Sequence, residues 1–264
     1  MRRVLILPLL ALWACSEEKT PAPAPSASAA AAAAAVRAEP PGKARAMSVA
    51  NELYEFSYAY PAQAAAIPAL KAMLEEELAQ QQAELRKEAK DEQAEAARSD
   101  FPFHPHSRSY DWKVVTQIPG WLSLSSLVGS YTGGAHPNYW FSAILWDKTA
   151  GKARQAADLF NSKQALSAAI RKGFCAELDR QRTKKRGAAV QAGSADMFDE
   201  CIDPVAETVI LGSSNGQSFN RIGILVPPYE AGPYAEGDYE VTVPVTPAVL
   251  AAVKPEYRSS FSAK

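Results

Sequence analysis

The pattern of apolar and polar positions separates an apolar start and a low-complexity stretch from a longer region with regular periodicity. Residues 51–58 alternate around aromatic side chains, which predicts a β-strand. Leu70, Leu74 and Leu78 then recur every four positions, which predicts a long amphipathic helix over residues 62–97. From residue 86 onward this helix has no large apolar residue, so a solvated face is expected there. Whether that charged end docks a partner is open.

The remaining periodicity predicts further strands and one more helix. Pro119 and Gly120 separate two alternating segments and are typical of a hairpin turn. Apolar residues every four positions from Leu166 to Leu178 predict a medium helix that ends near Gly187. Strand character is also found at residues 110–118, 121–131, 139–146, 208–211, 218–226 and 238–245. Because strands outnumber helices and do not alternate with them, we expect an α+β fold, with antiparallel sheets packed against one long and one medium helix.

The start of the chain has the features of an export signal. Two arginines precede an apolar run, residues 4–14, which is too short to span a bilayer comfortably. Leu12 and Ala14 stand three and one positions before Cys15, an arrangement that resembles a bacterial lipobox. In such signals the Cys thiol is diacylated and the chain is cleaved just before it. We therefore predict a lipoprotein signal peptide over residues 1–14; an ordinary secretory signal is the alternative.

The residues after this signal predict an address and a domain organisation. Ser16 stands where an Asp favours retention in the inner membrane, so we expect the periplasmic face of the cell envelope, at the outer rather than the inner membrane. Residues 15–47 are rich in Pro and Ala and predict a disordered tether. The folded part is expected to comprise an N-terminal strand–helix–strand module, residues 48–120, and a C-terminal domain, residues 121–264.

Composition excludes two classes of protein. The 264 residues carry 28 Lys and Arg against 29 Asp and Glu, so the chain lacks the basic surplus that nucleic-acid binding requires. No stretch after the start reaches about 18 apolar residues, which excludes a polytopic membrane protein. We therefore expect no nucleic-acid partner and contact with a membrane through the N-terminal lipid.

The three cysteines divide into one lipidation candidate and one pair. If Cys15 carries lipid, Cys175 and Cys201 remain in an oxidising compartment, where a disulfide is expected. Such a bridge would close the loop that follows the second helix. Two buried thiols are the alternative.

The sequence contains no motif that assigns catalysis, a cofactor or a metal. Gly-x-Ser-x-Gly, P-loop and Gly-x-Gly-x-x-Gly runs are absent. His104 and His106 would point to opposite sides of an extended segment and have no matching ligand cluster. Acidic neighbours such as Asp199-Glu200 and the Glu236/Asp238 pair carry little information in a chain with 29 acids. We therefore predict no catalytic residue, no metal and no cofactor.

Two stretches go beyond generic patterns. The first is Tyr131-Thr132-Gly133-Gly134-Ala135-His136-Pro137-Asn138, followed by an apolar strand, the turn at residues 147–152 and Asp158-Leu159-Phe160. The second is Pro228-Tyr229-Glu230-Ala231-Gly232-Pro233-Tyr234-Ala235-Glu236-Gly237. Together they resemble the RsiV-like family of extracytoplasmic bacterial domains. The chain departs from the family pattern at Ala150, which is inserted in the turn, and at Pro137, where Gly is common.

The resemblance implies an envelope function. Members of the family include the ectodomain of a lysozyme-sensing anti-sigma factor and an accessory domain beside a peptidoglycan deacetylase. The function implied is therefore non-catalytic binding of a lysozyme-type protein or of peptidoglycan. A hydrolase acting on envelope glycan and a structural envelope component are the alternatives.

The two motifs supply the candidate binding residues. Their members are Tyr131, Gly133, Gly134, His136, Asn138, Tyr229, Tyr234 and Gly237. Two structural alternatives are open. The imidazole of His136 can serve as a hydrogen-bonding group of its own loop, and the tyrosines can belong to a packed turn between strands.

Overall fold

The computed structural model describes residues 42–191, 193–194 and 196–264. The predicted signal peptide, Cys15 and the tether up to residue 41 lie outside the described residues. Within the described part no helix is both long and apolar enough to cross a bilayer.

A six-stranded sheet forms the first half of the fold. Its strands are β1 (Arg45–Ala50), β2 (Tyr54–Tyr60), β3 (His106–Ile118), β4 (Trp121–Tyr131), β5 (Asn138–Asp147) and β6 (Lys152–Arg154). They lie side by side in chain order. Neighbours run antiparallel except β2 and β3, which run parallel. The predicted α+β class is confirmed, and the parallel pair corrects the expectation of purely antiparallel sheets.

The long helix begins later than the periodicity predicts. A single turn, α1 (Ala62–Ala65), is followed by a break and then by α2 (Pro68–Ser99). The ring of Pro68 forces the preceding residue, Ile67, into an extended conformation with φ −108° and ψ 104°, so the helix cannot run through it. At the first position of α2 the missing N–H of Pro68 leaves no hydrogen bond unmade. This helical crossover is what allows β2 and β3 to run parallel.

Helix α2 covers one face of the first sheet. Leu70 and Leu74 are fully buried in a core that includes Tyr58, Trp112 and Leu124. The charged second half is also held to the sheet. Its small residues, Ala89 and Ala96, are buried, and the guanidinium of Arg108 donates to Glu88 at 2.8 Å.

A three-stranded antiparallel sheet and the second long helix form the other half. The strands are β7 (Thr208–Gly212), β8 (Arg221–Val226) and β9 (Tyr239–Pro244), with β8 in the middle; the helices are α3 (Lys163–Arg186) and α4 (Pro247–Ala252). Helix α3 begins after Ser162, whose hydroxyl accepts from the N–H of Ala165, and ends at Gly187 with φ 69°. Phe174 and Leu178 on this helix belong to a second core with the three strands.

A disulfide joins Cys175 on α3 to Cys201, with Cα atoms 5.5 Å apart. Arg171 reinforces the same junction, because its guanidinium donates to the carbonyl oxygen of Cys201 at 2.7 Å. A disulfide is typical of proteins that mature outside the cytoplasm. The bridge therefore points to an extracytoplasmic location.

The predicted division at residue 120 falls in a hairpin turn within one sheet. Strands β3 and β4 pair from Ser107 opposite Tyr131 to Ile118 opposite Trp121. The first sheet therefore runs across the division, and the separate ranges 48–120 and 121–264 stay a prediction. Strand β1 begins at Arg45, within the range assigned to the tether.

Candidate functional site

The two sequence motifs meet beside the start of β5. The loop between β4 and β5 carries the first motif, and the segment between β8 and β9 carries the second. Four side chains from these segments form what we call the motif cluster: His136, Tyr139, Tyr229 and Tyr234. Gly133 and Gly134 reverse the first loop with φ 91° and 97°, a conformation that favours glycine.

Three rings of the motif cluster lie nearly parallel. The centroids of His136 and Tyr234 are 3.9 Å apart, with an interplanar angle of 23°. Tyr229 lies 5.6 Å from Tyr234 and 6.4 Å from His136, at 32° and 24°. His136 is exposed, and Tyr229 retains 48% of its accessible surface. The three rings therefore form a stack, which we call the aromatic platform, in which His136 and Tyr229 are exposed to solvent and Tyr234 is half-buried.

Hydrogen bonds fix the imidazole of His136 in one orientation. Its Nδ1 lies 2.8 Å from the carbonyl oxygen of Pro137, which can only accept, so in the neutral ring Nδ1 carries the proton. Nε2 is then free to accept from the hydroxyl of Tyr229 at 3.1 Å. Tyr234 donates to the same Pro137 oxygen at 2.7 Å. His136 thus stabilises its own loop while remaining on the surface.

The other motif residues shape the backbone around the platform. The hydroxyl of Tyr131 donates to the Gly134 oxygen at 3.2 Å, and Asn138 accepts from the N–H of Tyr139 at 3.0 Å. Gly237 has φ 68°, and a Cβ there would lie 3.4 Å from the hydroxyl of Tyr139. These residues therefore hold the loops in place and do not project reactive groups.

Tyr139 links the platform to the second motif. Its hydroxyl donates to Asp238 at 3.0 Å. Burial, together with the hydrogen bond to the carboxylate, raises the pKa of Tyr139 to about 12. The phenol therefore stays protonated and donating at all ordinary pH values.

Tyr229 has a strained backbone. Its φ is 75°, in the left-handed region that a bulky residue rarely adopts. Its N–H donates to the Gly232 oxygen at 3.0 Å, which closes the turn that imposes this conformation. Such strain persists where the surroundings hold it, and it is concentrated at functional positions.

The C-terminal end of α3 supports the second motif from beneath. Arg186 binds Glu236 at 2.9 Å and Asp199 at 2.7 Å, with both carboxylates largely buried. Arg182 is fully buried and donates from Nε to the Ala231 oxygen at 2.9 Å. Lys185 lies 3.9 Å from the centroid of the Tyr239 ring, whose hydroxyl donates to Glu236. The acids of this region are therefore engaged in structural contacts.

His104 and His106 do not converge on a metal centre. His104 is exposed and His106 is 4% exposed, next to Phe103. In the described ranges no three or more His, Cys, Asp or Glu side chains are grouped so that they could hold an ion.

A second feature, which sequence reasoning missed, is a cleft of about 500 Å³ that contains Glu207. Burial, with smaller contributions from the charges of Glu230 and Asp203, raises the pKa of Glu207 to about 7. Nothing in the sequence distinguishes this residue from the other 28 acids of the chain. Its environment arises from the packing of segments that are far apart in sequence.

Comparison with known proteins supports the resemblance that the motifs predict. Residues 47–139 match the model of a family described as Deacetylase PdaC. No curated protein matches the chain. The match includes the N-terminal module and the first motif, so the resemblance is confirmed for this segment.

Two solved structures of the DUF3298 family align with the chain. One, from Pseudomonas aeruginosa PAO1, is 14% identical and has a TM-score of 0.50, with 85% of this chain and 99% of that chain covered. Another, from Bacteroides fragilis, is 16% identical and has a TM-score of 0.48, with 78% of this chain and 92% of that chain covered. The first likeness shows a shared fold.

Proposed function

We propose that this chain, which carries a PdaC-type segment, is a lipid-anchored envelope protein whose motif cluster binds a ligand without catalysing a reaction. The observation that carries this proposal is the aromatic platform, a stack of His136, Tyr229 and Tyr234 in which His136 and Tyr229 are exposed. Amphipathic rings that are rigid and exposed offer contact area at a low entropic cost, which suits a recognition surface.

The contacts of the acids favour binding over hydrolysis. A glycosidase needs two carboxyl groups that face the same glycosidic bond. Of the four acids that sequence reasoning considered, Asp199 and Glu236 are both paired with Arg186, Asp238 accepts from Tyr139, and Glu200 is exposed. Carboxylates held in this way serve the architecture of the second motif.

Peptidoglycan is the ligand we favour. The sequence resembles the accessory domain beside a peptidoglycan deacetylase, and the segment matched to the PdaC family contributes His136 and Tyr139 to the motif cluster. Sugar rings stack well on exposed aromatic rings, and Tyr229, which belongs to the stack, retains 48% of its accessible surface. A lysozyme-type protein is the second ligand that the resemblance implies, and the same experiment includes it.

The proposal includes the cellular location of the protein. The lipobox-like residues before Cys15 supply the anchor, and the disulfide between Cys175 and Cys201 fits the oxidising space between the membranes. Ser16 directs the anchored protein to the outer membrane.

The test is co-sedimentation of the purified full-length chain with peptidoglycan sacculi, beside capture on immobilised lysozyme. Tyr229→Ala removes one ring of the platform. Phe101→Ala is the matched control, because Phe101 is an aromatic residue outside the motif cluster with similar exposure. Its exposed fraction is 42%, and that of Tyr229 is 48%. We expect saturable binding to sacculi that falls at least roughly tenfold in Tyr229→Ala and is unchanged in Phe101→Ala.

Other outcomes identify the alternatives. Saturable capture by lysozyme with the same dependence on Tyr229 assigns the surface to a protein ligand. Release of soluble fragments from sacculi would favour an envelope hydrolase. Binding to neither probe would contradict the proposal and leave a structural envelope component.

A further inference from the structure

The Glu207 cleft is separate from the motif cluster and has walls from four parts of the chain. These are Phe141–Ala143 of β5, residues 155–158, Lys163 at the start of α3, and the segment Val205–Val209. Ala156, Val205 and Val209 are buried and give the cleft an apolar floor. A volume of about 500 Å³ lies within the range of small-molecule sites.

Two polar groups of this cleft are already engaged in structural contacts. The carboxylate of Asp158 accepts from the N–H of Gln155 at 2.9 Å and so completes a helix cap. The hydroxyl of Thr208 donates to the Phe141 oxygen at 3.0 Å. The Oδ2 atom of Asp158 and the hydroxyl proton of Thr208 are therefore already used.

Among the charged side chains of the cleft, Glu207 and Lys163 are the exceptions. Among the described residues, neither side chain makes a hydrogen bond or an ion pair, although both line the cleft and carry opposite charges. They do not pair with each other, so their charged atoms lie more than 4.0 Å apart. A partly buried carboxyl without a donor is costly, and a ligand that brings a donor removes that cost.

We propose that the cleft binds a short zwitterionic peptide, with its ammonium group at Glu207 and its carboxylate at Lys163. A ligand with both charges satisfies both walls at once, whereas a simple cation or anion satisfies one. The apolar floor fits a small aliphatic side chain such as that of alanine. This inference is independent of the proposed function of the motif cluster.

Binding of the ammonium group has a consequence for protons. At pH 7 Glu207 is partly protonated, because burial, Glu230 and Asp203 raise its pKa to about 7. Lys163 is the positive residue of the cleft, and the carboxylate of Asp158 is held in its cap. An ammonium group beside Glu207 favours the ionised carboxylate, so uptake of the zwitterion releases protons near neutral pH.

The experiment is calorimetric titration of the full-length chain with the dipeptide Ala-Ala in buffers of different ionisation enthalpy. N-acetyl-Ala-Ala lacks the ammonium group, and Ala-Ala amide lacks the carboxylate. We expect saturable binding of Ala-Ala with proton release at pH 7, and affinities at least roughly tenfold lower for both blocked peptides.

Two substitutions locate the charges. Glu207→Gln is expected to abolish proton release and the preference for a free ammonium group. Lys163→Gln is expected to abolish the preference for a free carboxylate. Lys172→Gln, an exposed lysine farther along α3, is the control and should behave as the parent. Absence of saturable binding of Ala-Ala, or binding that neither substitution alters, would overturn the proposal.

Discussion

His106 is a buried titratable residue. It is 4% exposed, and within the described residues neither ring nitrogen has a hydrogen-bond partner. Burial lowers the pKa of His106 below its ordinary value of 6.5. The negative charges of Glu92 and Glu88 act in the opposite direction, and the positive charge of Arg108 lowers the pKa further. The neutral ring is therefore the form that the fold favours.

We expect the fold to lose stability in mild acid through this residue. His106 takes up a proton near pH 6.5 in the unfolded chain, but only at lower pH in the folded chain. Its contribution to the free energy of unfolding is therefore present above pH 6.5 and falls as the pH decreases towards the folded pKa. Between pH 7.5 and pH 5.5, the free energy of unfolding measured in urea should decrease less in His106→Phe than in the parent. His104→Phe at the neighbouring exposed histidine is the control, and equal losses in parent and His106→Phe would refute the expectation.

Tyr229 combines exposure with backbone strain. Replacement by glycine relieves the positive φ, worth about 1–3 kcal/mol, and removes the ring from the platform. We expect Tyr229→Gly to keep or raise the melting temperature and to weaken binding to sacculi. A marked drop in the melting temperature would show that the Tyr229 side chain is mainly structural.

At the scale of elements, the disulfide matters beyond its own loop. Its 26-residue span ends at Cys201, next to Glu200, whose carbonyl oxygen accepts from Arg182 at 3.0 Å. Arg182 and Arg186 in turn support the second motif. The bridge therefore stabilises the base of the motif cluster.

Removal of the bridge is expected to lower stability and binding together. For a loop of this length the loss is about 3 kcal/mol. The double variant Cys175→Ser/Cys201→Ser should unfold at a lower denaturant concentration and bind sacculi more weakly. Two free thiols titrated in the native protein would rule out the bridge.

Local sequence predicts elements better than their meeting points. The leucine spacing identifies α2, and Gly187 marks the end of α3, because both signals are carried by neighbouring residues. Pro68 is a local signal for the break before α2, but the leucine spacing alone does not reveal that break. The stacking of His136 on Tyr234 and the environment of Glu207 depend on long-range packing, so no local pattern predicts them.

At the scale of the whole molecule, two cores share one continuous fold. One core lies between α2 and the first sheet, and the other lies among α3, the second sheet and α4. Trp121 joins the first sheet to the C-terminal segment, since its indole N–H donates to Ser260 at 2.9 Å. The segment matched to the PdaC family ends at Tyr139, inside β5, so the match stops within a continuous sheet.

The predicted lipid anchor is tested by Cys15→Ala. A diacylated cysteine holds a protein to a membrane through its buried methylene groups, and without it the remaining acidic chain has no attraction to an anionic surface. We expect the parent to incorporate labelled palmitate and Cys15→Ala to incorporate none. Incorporation by neither protein would indicate an ordinary secretory signal.

The place where the chain enters the sheet determines how the molecule responds to mechanical load. The chain joins the fold at β1, an edge strand, whereas Tyr139 of the motif cluster lies on β5, across β2, β3 and β4. If the start of the chain is fixed in a membrane and the cluster holds the cell wall, tension acts across the width of the sheet. Hydrogen bonds pulled in this direction break one after another, so β1 would peel first and lengthen the connection while both cores stay folded.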